Sequence, residues 1–220
     1  MQVEMKKLLL LGAAVAGLAT AQAQITVHPR GEIGVNVSNL SVKVNNKSFD
    51  QESKSLADIH VGVAAEIALP VNVGSMTTLY VAPGLLIRQL GAVDKNKESS
   101  VENKVRINTL TVPVNLGLRV ALNDLFAVSL EAGPNFSYAL SAKSIAKSNS
   151  TTIERNLLKE EDGSKAPMKT FEVGVGVSAA LEYNKYFVRV GADLGLNNLS
   201  NIEKNSVKTS DFHIGVGYRF

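Results

Sequence analysis

TSDFHIGVGYRF, residues 209–220, alternates without a break. Phe212, Ile214, Val216, Tyr218 and Phe220 fall on one face; Asp211, His213, Gly215, Gly217 and Arg219 fall on the other. A period of two marks a β-strand, because successive side chains leave opposite sides of the pleat. One side is greasy along its whole length and the other is polar or small. Such a strand stands between an apolar medium and a polar one.

The same alternation recurs upstream. Residues 31–40 set Ile33, Val35 and Val37 against Glu32, Gly34, Asn36 and Ser38. Residues 57–69 put Ile59, Val61, Val63 and Ile67 opposite Asp58, His60, Gly62 and Glu66. Residues 78–90, 105–120, 125–140, 169–183 and 186–199 repeat the pattern, and Pro83 interrupts one apolar row, where a bulge or a weakly paired position is expected. That makes eight strands, each long enough to cross a bilayer when tilted.

The connections alternate in length. Residues 70–75, Asn123-Asp124 and Asn184-Lys185 are short, punctuated turns. Residues 41–55, 91–103, 141–168 and 201–208 are longer and polar, and the longest has room for one short helix around 152–160. Short turns at one end and long loops at the other are the habit of outer-membrane barrels. A β-protein spans lipid only as a closed cylinder, since the bilayer core offers backbone groups no partner. The expected fold is therefore all-β: an eight-stranded antiparallel up-and-down transmembrane β-barrel. In that setting the aromatic end of the last strand, Tyr218 and Phe220, reads as a C-terminal insertion signal for the barrel-assembly machinery. A soluble, lipocalin-like barrel would have the reverse polarity, with an apolar lumen.

Composition agrees. The 220 residues are 45% hydrophobic, yet no apolar run beyond the N-terminal region is long enough for a spanning helix. There is no Cys, which removes disulfides, zinc-thiolate sites and a cysteine nucleophile. A net charge of +3, scattered among matching acids, gives no footprint for nucleic acid. Met5-Lys6-Lys7, the apolar run 8–19 and Ala21-Gln22-Ala23 form the three parts of a secretory signal. Cleavage is expected after Ala23, with Ala21 and Ala23 as its small residues, giving a signal peptide at 1–23 and a barrel domain at 24–220.

Eight strands enclose a lumen that side chains just fill, so the inward charges must find partners there. Strand direction predicts three pairs: Glu32 with Arg219 at the closing seam, Asp58 with Arg88, and Glu182 with Arg189 across a turn. Glu131, Glu172 and Asp193 are left as mid-barrel acids, with Arg119 lower down. His60 and His213 point inward near Asp211 and Asp58, but their spacing is not that of a metal site. No serine sits in a nucleophile motif. The Gly174/Gly176 and Gly215/Gly217 pairs lie mid-strand, where glycine relieves crowding or receives an aromatic ring. No catalytic, cofactor or metal residues are expected.

Residues 36–40 (NVSNL), Leu79-Tyr80-Val81, residues 110–114 (LTVPV), Glu131-Ala132-Gly133-Pro134, Gly195-Leu196-Asn197-Asn198 and Gly217-Tyr218-Arg219-Phe220 resemble the successive strand motifs of the PorT-like outer-membrane β-barrel family. The resemblance covers essentially the whole chain after the signal. It implies a small eight-stranded barrel and, for the founding type, service to a protein-secretion apparatus. It carries no catalytic residues. The expectation is a monomeric outer-membrane protein with a structural or interaction role, in contact with lipid and, through its external loops, with a protein partner. A secretion accessory, a narrow channel and a lipid-modifying barrel are the alternatives.

Overall fold

The computed structural model describes residues 26–44, 47–48, 54–71, 73–96, 101–148, 151–160 and 165–220. The proposed signal peptide, with Ala21 and Ala23, lies outside the described residues.

Among the described residues ten strands form one antiparallel sheet: β1 (Val27–Val44), β2 (Lys47–Ser48), β3 (Lys54–Ala68), β4 (Thr77–Asn96), β5 (Val101–Ala121), β6 (Phe126–Ser148), β7 (Thr151–Asn156), β8 (Phe171–Tyr183), β9 (Tyr186–Gly195) and β10 (Ser206–Arg219). Eight of them make the wall, in the order β1, β3, β4, β5, β6, β8, β9, β10. The sheet closes where β10 pairs with β1, from Arg30↔Arg219 to Lys43↔Ser206. Closure leaves the wall without an edge. β2 and β7 are short additions to the outer ends of β1 and β6.

The alternation decides which side faces out. Ile59, Val63, Val177 and Val216 are each more than half exposed, while Asn36, Ser38, Thr111 and Ser137 are fully buried. The greasy surface is the outside of the cylinder. On β5 the outward row from Leu110 to Val120 spans eleven residues, about 25 Å of height at the usual tilt, which matches the apolar band of a membrane barrel. At the turn end of the barrel Phe126 packs on Tyr183, and Tyr218 packs on both Tyr186 and Phe220. Phe136, Tyr138, Phe171 and Phe212 lie toward the other end of the outward rows. These are the two aromatic girdles that sit at membrane–water interfaces.

The three tight turns stand where the punctuation put them. Asn184 takes a positive φ of 56° between β8 and β9, and Asn123 Oδ1 accepts from the backbone N–H groups of Leu125 and Phe126. The other end differs from expectation in two ways. β4, β5 and β6 run 20, 21 and 23 residues, so most of the stretch 91–103 is paired strand rather than loop. The helix expected at 152–160 is β7 instead, paired from Lys143↔Asn156 to Ser148↔Thr151. β8 begins only at Phe171, which leaves the upper part of β6 with an open edge, and the β-branched Thr151, Thr152 and Ile153 fill it. Pro83 makes no bulge, since the register is the same on both sides of it, but it is the weakly paired position expected: it pairs with Val114 on β5 and has no partner on β3, where the ladder skips from Ala64↔Gly84 to Ile67↔Val81. The shifts fall at Ser55/His60 and Asn108/Thr109.

A second, apolar core closes the outer mouth. Leu40, Leu90, Ala92, Ile107, Ala139 and Ala142 line the inner wall, and Met168 and Leu199 drop onto them from the two loops above. The loops are tied together: Lys169 N–H donates to Leu199 O at 2.7 Å, and Asn201 Nδ2 donates to Ala166 O at 2.8 Å.

The luminal charge network and its neighbours

The centre of the lumen is Glu131 on β6, whose side chain is wholly buried. Arg30 grips it with both terminal nitrogens, at 2.5 and 2.8 Å. Arg189 reaches its other side at 2.9 Å, Tyr80 Oη donates at 2.7 Å, and Asn115 Nδ2 donates at 3.2 Å. A carboxylate this enclosed keeps its charge only when several donors replace water, and it has them.

Around that hub the charges balance. Arg30 and Arg219 share Glu66, at 2.9 and 2.8 Å. Arg189 also holds Glu32, with Nε at 2.9 Å, and His60 Nε2 lies 3.3 Å from the same carboxylate. Arg119 pairs with Glu182 at 2.6 Å. Among the described residues, then, these four arginines meet four glutamates in the half of the lumen nearer the turns. Higher up the ratio changes. Arg88 stands between Asp193 at 2.5 Å and Asp211 at 3.2 Å, with His213 Nδ1 within 3.7 Å of both acids. Glu172 sits beside them and accepts from Thr209 Oγ1 at 2.6 Å. The ligand atoms of Asp193, Asp211 and His213 are near enough to one another for a cation, but the Arg88 guanidinium already bridges both carboxylates.

Of the expected pairs, none forms as written. Register sets Arg219 opposite Arg30 and Glu32 opposite Gly217, so Glu66 on the next strand meets Arg219 first. Asp58 lies beside the β3 bulge and accepts from its own neighbour, Ile59 N–H, at 2.9 Å, while Arg88 reaches across the lumen to β9 and β10. Glu182 goes to Arg119, and Arg189 turns up the barrel to Glu32. Arg30 lies one residue before the alternating stretch 31–40, within β1, which begins at Val27. It shares parity with Glu32, and extending the alternation by one step would have placed it inside.

Glycine makes the space. The Tyr80 ring lies over Gly117 and the Phe187 ring over Gly217, so a Cβ at either glycine would run into the ring. A cavity of about 90 Å³ remains beside Arg30, Glu32, Glu131, Arg189, Asp193 and His213. That is room for a few waters.

A closed antiparallel cylinder with a greasy outer band, aromatic girdles and a charged, packed interior defines an integral outer-membrane β-barrel. The sequence agrees: residues 21–201 match the outer membrane protein beta-barrel domain, and the chain belongs to that family. No curated protein matches it by sequence. Among solved structures it is similar to OprG of Pseudomonas aeruginosa, with 14% identity, 88% of this chain and 95% of that one covered, and a TM-score of 0.43. It is similar to a major outer membrane protein of Thermus thermophilus, with 12% identity, 87% and 99% coverage, and a TM-score of 0.43. It is also similar to Ail, the attachment invasion locus protein of Yersinia pestis, with 14% identity, 88% and 99% coverage, and a TM-score of 0.39.

Proposed function

We propose that this protein is a monomeric, non-conducting outer-membrane anchor that presents its outer strands to a protein partner and catalyses no reaction. The observation that carries this reading is strand length. A tilted strand crosses the bilayer in about 9–11 residues. β4, β5 and β6 are twice that, and their surplus all lies at the end away from the tight turns. A wall of paired strand standing clear of the membrane is a rigid platform of the kind binding loops are mounted on. The filled lumen and the apolar plug under Met168 and Leu199 support the absence of a pore. Export by the 1–23 signal, with cleavage after Ala23, and delivery through Tyr218 and Phe220 to the assembly machinery belong to the same proposal.

The PorT-like strand motifs favour one more specific version, an accessory of a secretion or surface-assembly complex. Crosslinking from the β5–β6 extension in intact cells tests both. A single crosslinked envelope protein, together with silence in planar bilayers, supports the anchor. Steady unitary conductance from the purified barrel overturns it. A crosslinked partner that belongs to a secretion machine selects the accessory version.

A further inference from the structure

Outside the barrel, β5 and β6 carry a charge pattern that the lumen does not use. Leu110, Tyr138 and Leu140 top the apolar band there. Next come Asn108 and Ser141, joined at 2.7 Å. Beyond them the register sets Arg106 directly opposite Lys143, both exposed; further out on the same face Lys104 stands opposite Ile145, and Lys147 opposite Glu102. The opposite wall repeats the order: Val37 faces Phe212, then Asn39 faces Ser210, then Ser41 faces Lys208, with Lys43 one step further. Apolar, amide and hydroxyl, then cation: two separate strand pairs present the same layers at the same level.

Like charges set directly opposite on a sheet face repel. In the lumen, where Arg30 faces Arg219, Glu66 bridges the two. Outside, among the described residues, Glu154 approaches Lys143 alone, at 3.3 Å, in an exposed pair of the kind worth little. Arg106 and Lys104 have no carboxylate at ion-pair distance among the described residues. Arg106 stands four residues past Leu110, about 10 Å above the band at the usual tilt, which is headgroup depth, and Lys104 stands two residues beyond it.

We propose that this basic girdle, centred on Lys104, Arg106 and Lys143, seats the phosphates of the phosphorylated glycolipid of the outer leaflet, with its acyl chains on the band below. The proposal rests on the exposed apolar band facing lipid, which family membership supports independently. A planar guanidinium suits a phosphate bidentately, and the neighbouring lysines add point charges. The phosphate would do outside what Glu66 does inside.

The test uses the full chain purified from outer membranes in neutral detergent. Binding of bis-phosphorylated lipid A is compared with that of the same lipid stripped of both phosphates, by native mass spectrometry. The expected preference for the phosphorylated form is about tenfold or more. Lys104→Gln with Arg106→Gln and Lys143→Gln should remove that preference, and Lys204→Gln in the outer loop should keep it. Arg106→Glu is the sharper variant. Its carboxylate can pair with Lys143, so the barrel should fold and shift on heating at least as well as the parent, yet bind lipid A worse. Equal binding of the two lipids, or full retention by the triple variant, overturns the proposal. Complete displacement of lipid A by excess inorganic phosphate reduces the girdle to a plain anion site and overturns the lipid assignment.

Discussion

Arg30 and Arg219 face each other across the seam that closes the barrel, and both are held by the two oxygens of Glu66, Oε1 at 2.9 Å and Oε2 at 2.8 Å. Two like charges at the final strand pairing would oppose closure, and one carboxylate from β3 reverses the sign of that contact. Closure of the cylinder and neutralisation of its lumen are therefore the same event at this position.

Removing that carboxylate should be costly. Glu66→Gln leaves the buried Arg30 guanidinium with Glu131 alone and the half-buried Arg219 beside it with no carboxylate among the described residues, and breaking a buried pair in this way costs about 3–5 kcal/mol. The urea midpoint of the refolded barrel should fall clearly, with a lower temperature for the mobility shift on gels. Adding Arg219→Gln should recover part of the loss, because the leftover charge is then gone. A double variant no better than the single one would argue against the bridge.

Gly117 should resist even the smallest side chain. Alanine in place of glycine within a strand ordinarily gains up to about 1 kcal/mol. Here the added carbon meets the ring of Tyr80, whose hydroxyl donates to Glu131, and overpacking of this kind costs about 1–3 kcal/mol. Gly117→Ala should thus destabilise. In a Tyr80→Leu background the same change should cost less, and denaturant midpoints of the four proteins read the coupling directly.

The apolar plug makes its own prediction. Met168 and Leu199 are 7% and 3% exposed although both belong to outer connections. Leu199→Ala opens a cavity at the mouth and should cost about 2–3 kcal/mol, toward the low end for such truncations because loops can collapse around it. Protease nicking of the outer connections between 157 and 205 should accelerate with it. Unchanged nicking would mean that the plug does not hold these segments down.

Salt should separate the two charge systems. The luminal ion pairs are enclosed, so the mobility-shift temperature of the bare barrel should be nearly indifferent to added sodium chloride. Binding of phosphorylated lipid at the exposed girdle should weaken steeply over the same range. A barrel that loses stability in step with salt would place the network in contact with solvent.

How much of this was legible follows from how far each signal reaches. Parity is a property of adjacent residues, so inward His60, Arg88, Glu131 and Arg189 and outward Ile214 and Val216 could be assigned from the chain alone. The eight wall strands, the three tight turns and the glycine beneath an aromatic ring at Gly217 came from the same local pattern. β7 did not. Residues 152–160 have no strong alternation, and what makes them a strand is the open edge of β6 beside them.

The chain by itself determined that every strand has one lipid-facing and one lumen-facing side, because the two-residue period is written into each segment independently. Only the tertiary structure decided who meets whom inside. Arg88 binds Asp193 and Asp211, more than a hundred positions away, and passes over Asp58 on the neighbouring strand. The physical reason is register. Stagger between strands, a bulge at Ser55/His60 and the curvature of a closed wall fix which side chains converge across the lumen. Those quantities belong to the cylinder and to no single strand.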